Sequence, residues 1–422
     1  MGVAVRDLQA MEILDSRSRP TLSVTLTTAD GARFRAGVPS GASTGSREAV
    51  ERRDGDLARY GGHGVLGAVA SINGEMADAL RGRSFPRLEA LDGALIALDG
   101  TEDKSRLGAN AIVGVSMAAA RAFAAASGTS LWKSFEGAAG PPCLPVPHFN
   151  IVNGGVHAEN ALDFQEFMVV PVGAPSMAEA VRAGAEIYAA LRARLTARAL
   201  STGLGDEGGF APELAQPEEV LDLLVDAVEG AGYQPGTESV ALAVDAASSS
   251  LYRDGAYWVA GSRLSSDEMI ERYAAIVERF PVRLVEDGLA ESDWAGWERL
   301  TDRLGGRVEL VGDDIFCTNP AIIREAVARN VANAALIKVN QIGTVTETLD
   351  AMQVCREAGF AQMVSHRSGE TEDGFIADLA TGTGCGRIKS GAPARGERVA
   401  KYNRLVEIEE VDHLTYGARQ RT

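Results

Sequence analysis

Between residues 240 and 389 the chain repeats one pattern: a short apolar run, an ionisable residue at or just past its end, a loop, then an amphipathic stretch of helical period. The runs are 240–244 before Asp245, 282–285 before Glu286, 308–311 before Asp313, 334–337 before Lys338, 362–364 before His366 and 387–388 before Lys389. Runs this short and this apolar read as strands buried on both faces, and strands alternating with helices read as a parallel sheet. Closing such a sheet into a barrel brings the C-terminal strand ends to one mouth, where residues distant in sequence become neighbours. The pattern therefore predicts one cleft holding Asp245, Glu286, Asp313, Lys338, His366 and Lys389. A polar residue after a single strand is ordinarily just the start of a polar loop. Six in succession, carboxylates first and cations afterwards, favour a site.

A chain of 422 residues exceeds a usual single domain. Residues 21–38 alternate apolar and hydroxyl side chains around Asp30-Gly31 and predict a β-hairpin. Helical periodicity follows over roughly 64–80 and 107–127, giving an α+β unit over residues 1–135. Pro141, Pro142, Pro145 and Pro147 then break any helix, so a second domain is expected over 140–422. The expected class is α/β: a barrel with a smaller α+β domain ahead of it.

With 41 basic and 58 acidic residues the net charge is −17, which disfavours a nucleic-acid backbone as partner. An anionic substrate would require local metal ions, arginines or lysines to reverse that field. No basic-then-apolar segment opens the sequence, and its apolar helical stretches carry charges or small residues, so a cytoplasmic protein without membrane contact is expected. Cys143, Cys317, Cys355 and Cys385 are widely spaced, without a Cys-x-x-Cys pair, and suggest neither zinc nor a disulfide framework.

Three converging carboxylates form an oxygen-rich set suited to magnesium, and without a cation they would repel one another. The run 201–209 contains Gly203, Gly205 and Gly208 in dinucleotide-motif spacing, but it follows a helical stretch and puts Asp206 and Glu207 where phosphate would sit. It is read instead as a flexible loop presenting acids, with Glu207 raised in pKa enough to donate a proton. His157 and Glu166 flank another candidate loop, and Ser40–Gly45 could be a turn or a ligand cover; taken alone, each is weak.

Together the segments 38–45, 98–101, 107–112, 205–209, 338–343, 365–373 and 391–395 resemble the enolase family, and the resemblance runs from Leu14 to Glu410. It implies an atypical enolase-type TIM barrel whose first turns depart from βα alternation, a dimer or larger homo-oligomer, and dehydration of 2-phosphoglycerate to phosphoenolpyruvate through an enediolate. It also implies Lys338 as base, Glu207 as acid, His157, Glu166 and His366 in support, and substrate contacts from Gln165, Arg367, Ser368 and Lys389. Asp245, Glu286 and Asp313 would hold the first of two Mg2+ ions, with Ser43 serving the second. A base flanked by cations is expected to lose its proton more readily than free lysine. Ser18-Arg19, Ser250, Gly288 and Gly396 depart from the family pattern. Gly288 and Ser250 could widen the mouth, which keeps a carboxyphosphonoenolpyruvate synthase of similar scaffold as the alternative.

Overall fold

The computed structural model describes residues 2–138 and 140–417; the outermost ends of the two expected domains lie outside this range. Strands β1 (Val3–Leu14), β2 (Pro20–Thr28), β3 (Arg33–Gly37) and β4 (Ser84–Phe85) form an antiparallel sheet in the order β3-β2-β1-β4. The expected hairpin is β2–β3, pairing Leu26 with Phe34 and turning through Gly31 at φ 90°. Leu22, Val24 and Leu26 are buried, and the sheet packs on the Ala109–Ala126 helix. That helix is long and apolar enough to cross a membrane, but most of it is buried in the core. Its small residues permit close packing: a Cβ on Gly114 would lie 2.6 Å from Val24 and 2.8 Å from Val38.

Eight strands close the barrel: β5 (Val146–Asn153), β6 (Glu166–Val170), β7 (Ala241–Asp245), β11 (Val282–Glu286), β12 (Glu309–Gly312), β13 (Ala334–Ile337), β14 (Ala361–Ser365) and β15 (Arg387–Lys389). Each of the six expected runs becomes one of these strands, displaced by a residue or so. A small antiparallel sheet intervenes after β7, made of β8 (Tyr252–Arg253), β9 (Ala256–Val259) and β10 (Ser262–Leu264). Met168, Ala243, Leu284, Val311, Leu336 and Met363 belong to the packed barrel interior.

One strand runs against the rest, β6 pairing antiparallel with both β5 and β7. Only a loop with a single 3-10 turn joins β5 to β6, whereas a parallel return needs a longer crossover. The reversal brings the beginning of β6 to the mouth where its neighbours end: Glu166 pairs with both Asn153 and Asp245.

Candidate active site

At the mouth, Asp245, Glu286 and Lys389 are the last residues of their strands, and Lys338 and His366 immediately follow theirs. The Lys389 ammonium lies among three carboxylates, 2.7 Å from Glu286 Oε1, 3.2 Å from Glu166 Oε2 and 3.3 Å from Asp245 Oδ2. Burial drives Glu286 and Glu166 well above the usual carboxylate range, with neighbouring carboxylates adding to the rise. Those same carboxylates overcome the desolvation of Lys389 and hold it well above an ordinary lysine. Glu286 Oε2 is buried without a hydrogen-bond partner.

Lys338 Nζ donates to Asp313 Oδ2 at 2.5 Å. Burial disfavours its charge, but Asp313 outweighs burial and the Lys338 pKa is raised. The nearest charge to its ammonium is a carboxylate, with Arg367 and Lys389 acting in the opposite direction from farther away. Asp313 is correspondingly lowered, Lys338 overcoming the effect of burial. Asp287, which the strand-end pattern passes over, accepts from the backbone N–H groups of Asp313 and Asp314 at 2.8 and 3.0 Å and fixes that turn.

Glu207 is buried beneath the glycine-rich segment, accepting from Asn150 Nδ2 at 2.9 Å. Burial opposes its ionisation, yet His366, His157 and Arg398 together hold it well below the usual range. The segment presents Glu207 inward, buried, rather than on an open loop. Gly205 and Gly209 are glycines because the backbone packs on Asn153: a Cβ on either would come within 2.8 Å of its side chain. His157 Nδ1 lies 3.6 Å from Glu207 and 3.8 Å from Glu166. Arg398 donates to His366 Nδ1, which leaves the His366 proton on Nε2, 3.3 Å from Glu207 Oε2. Burial pushes His366 below the ordinary imidazole range, while the facing Glu207 pulls it the other way. Arg398 lies inside an amphipathic helix, Gly396–Asp412, and its sequence context gives no sign of this contact.

Ala42 and Ser43 line the cleft together with Gln165, Glu166, Glu207, Lys338, Arg367, Ser368 and Lys389. Gln165 Nε2 lies 3.5 Å from Asp245 Oδ2. Arg367 donates to both oxygens of Glu48, to Asn340 Oδ1 and to the Ser43 carbonyl. Ser368 Oγ accepts from Arg17 at 3.1 Å.

Among the described residues, His157, Glu166 and Glu207 form one group whose ligand atoms lie within 4.8 Å, and Asp287, Asp313 and Asp314 form another. The expected trio of Asp245, Glu286 and Asp313 shares the mouth but is not gathered so tightly, because Lys389 lies between two members and Lys338 holds the third. All of its donors are oxygen, and one buried Glu286 oxygen has no partner. That donor set fits a hard divalent cation.

The departures from the family pattern do not enlarge this cleft. A Cβ on Gly288 would meet Leu300, Val285 and Tyr273, and Ser250 Oγ donates to the Ala247 carbonyl in its own turn. Both point into packed or local structure, so the idea that they widen the mouth is not retained. Gly396 lies by another cavity, bordered by Glu372 and Asp373. Ser18 takes φ 58°, a conformation that glycine adopts without strain.

Residues 5–135 match a family model described as "Enolase, N-terminal domain", and residues 141–420 match "Enolase, C-terminal TIM barrel domain". The chain is 56% identical over 410 residues to a protein named "Enolase" from Rubrobacter xylanophilus, covering 97% of this chain and 94% of that one.

Proposed function

Because the chain belongs to the enolase family and is thereby a hydro-lyase, we propose that it dehydrates 2-phosphoglycerate to phosphoenolpyruvate with two Mg2+ ions, in the cytoplasm and as a homo-oligomer. The observation that carries the assignment of roles is that Lys338 and Glu207, brought from opposite parts of the barrel, line one buried cleft beside the carboxylates.

A hydrogen beside a carboxylate is weakly acidic, since its removal concentrates negative charge on the carboxylate oxygens. Asp245, Glu286 and Asp313 would hold the first magnesium and Ser43 would serve the second, and the ions would supply positive charge to stabilise those oxygens. Lys338 is the base: its Nζ lies in the cleft against Asp313, and a divalent cation held by Asp313 would weaken the attraction that keeps the lysine protonated. Lys389 pairs with the developing negative charge. Arg367 and Ser368 grip phosphate, and Gln165 helps orient the substrate.

Glu207 delivers a proton to the departing hydroxyl. An entering phosphate and carboxylate add negative charge that favours its uptake of a proton from solvent, which it then delivers. His366 and His157 face it, and Glu166 shares the Lys389 ammonium. The synthase alternative has no feature in its favour, since neither Gly288 nor Ser250 opens space.

The test is ultraviolet detection of phosphoenolpyruvate formed by purified protein from 2-phosphoglycerate and Mg2+. Chelation should abolish the signal, restored magnesium should recover it, and Asp313→Ala should nearly eliminate turnover. Full rate in a thoroughly chelated preparation would sink the metal assignment.

A further inference from the structure

Gln341 is fully buried in the turn that follows Lys338, and its side chain bonds at every end. Its Nε2 donates to Asp313 Oδ1 at 2.8 Å and to Glu48 Oε1 at 3.1 Å. Its Oε1 accepts from Thr318 Oγ1 at 2.7 Å, and Thr318 Oγ1 in turn accepts from the Lys338 backbone N–H at 2.9 Å. Glu48 receives Arg367 on both oxygens, at 3.0 and 3.1 Å. One neutral amide thus connects the carboxylate beside the proposed base, the backbone of that base, and the arginine proposed to grip phosphate.

Two further features support a positioning role. Cys317 and Thr318 are consecutive non-glycine residues at φ 48° and 53°, and such a conformation is costly for a β-branched side chain. That conformation presents Thr318 Oγ1 to both Lys338 and Gln341. The Gln341 carbonyl also accepts from the Ala49 N–H at 2.8 Å, tying the residue after Glu48 to the same turn. An amide suits the position because a carboxylate there would confront two others, and a hydroxyl could not donate twice.

We propose that Gln341 is a positioning residue that orients Asp313 for the divalent cation and, through Glu48, orients Arg367 for phosphate. The proposal rests on the enolase reading. Magnesium binding is measured by calorimetry without substrate, and KM for 2-phosphoglycerate at saturating Mg2+. Gln341→Met, similar in length but without donors, should weaken Mg2+ binding at least about tenfold and also raise KM, the usual consequence of removing a partner that orients a metal ligand. Glu48→Gln should raise KM while leaving Mg2+ affinity near that of the wild type.

Unchanged Mg2+ affinity in folded Gln341→Met overturns the proposal, as does an equal loss of Mg2+ affinity in Glu48→Gln. If Gln341→Met does not fold, Gln341→Asn provides the same test, since it keeps the amide but is one methylene short of spanning both carboxylates. Wild-type protein that neither binds Mg2+ nor dehydrates 2-phosphoglycerate refutes the enolase reading itself, a distinguishable result.

Discussion

Lys338 and Glu207 show how much a residue's chemistry depends on its nearest neighbour. Residue type and position suggested a lysine ready to give up its proton and a glutamate ready to donate one, and the side chains that each meets pull the other way. Asp313 raises Lys338, while His366, His157 and Arg398 lower Glu207. On the proposed mechanism, bound metal and substrate would have to supply the opposing charge at each group. The roles separate in an isotope experiment. Lys338→Ala should slow exchange of the substrate C2 hydrogen with solvent by about 10²–10⁴-fold, whereas Glu207→Gln should keep exchange and lose dehydration by a similar factor. Undiminished exchange in Lys338→Ala would mean that another group is the base.

Among the elements, the helix Val345–Ala358 is capped from outside the barrel. Val345 N–H donates to Ser116 Oγ, and Thr346 donates from both N–H and Oγ1 to Asp92 Oδ2. Asp92 is fully buried, its Oδ1 lacks a partner, and burial raises its pKa to about 6 despite the bonds from Thr346. The folded protein therefore holds this proton more tightly than the unfolded chain does. The group's stabilising contribution is complete below about pH 4 and is lost as pH rises through about 6. Asp92→Asn should match the wild type below about pH 4 and be more stable at pH 8 by roughly 1–3 kcal/mol, read from thermal melts across pH. A stability difference that does not change with pH would count against the burial argument.

At the scale of the whole molecule, the sheet domain and barrel share one hydrophobic cluster running from Val3 to Ile408. Polar ties reinforce it: Lys104 bonds Glu347 at 2.9 Å, and Arg121 bonds Asp373 at 2.5 Å. Separation would expose apolar surface on both sides as well as the cap on Val345–Ala358. Denaturant unfolding is therefore expected to be one transition, with far-UV circular dichroism and tryptophan fluorescence coinciding. Trp258, Trp294 and Trp297 report from the barrel side and buried Trp132 from the end of the sheet domain, while the dichroism averages both parts. Two separate transitions by either probe would show that the sheet domain melts independently.

The sequence alone determined the alternation of strand and helix, the hairpin at Gly31, and the strand ends carrying Asp245, Glu286, Lys338, His366 and Lys389. These are local or periodic signals, because burial on two faces and the φ demands of a turn leave marks within a few residues. Specific motifs added the family and, through it, Gln165, Arg367 and Ser368. Tertiary structure alone decided that β6 runs backwards and so delivers Glu166 to the mouth, that Arg398 sets the His366 tautomer, and that Gln341 joins Asp313 to Glu48. It also turned Gly288 and Ser250 away from the cleft and set Asp313 against Lys338 and two histidines against Glu207. Those outcomes depend on distances between residues far apart in the chain, and hydrogen bonds and Coulomb forces act across such distances without leaving any period in the sequence.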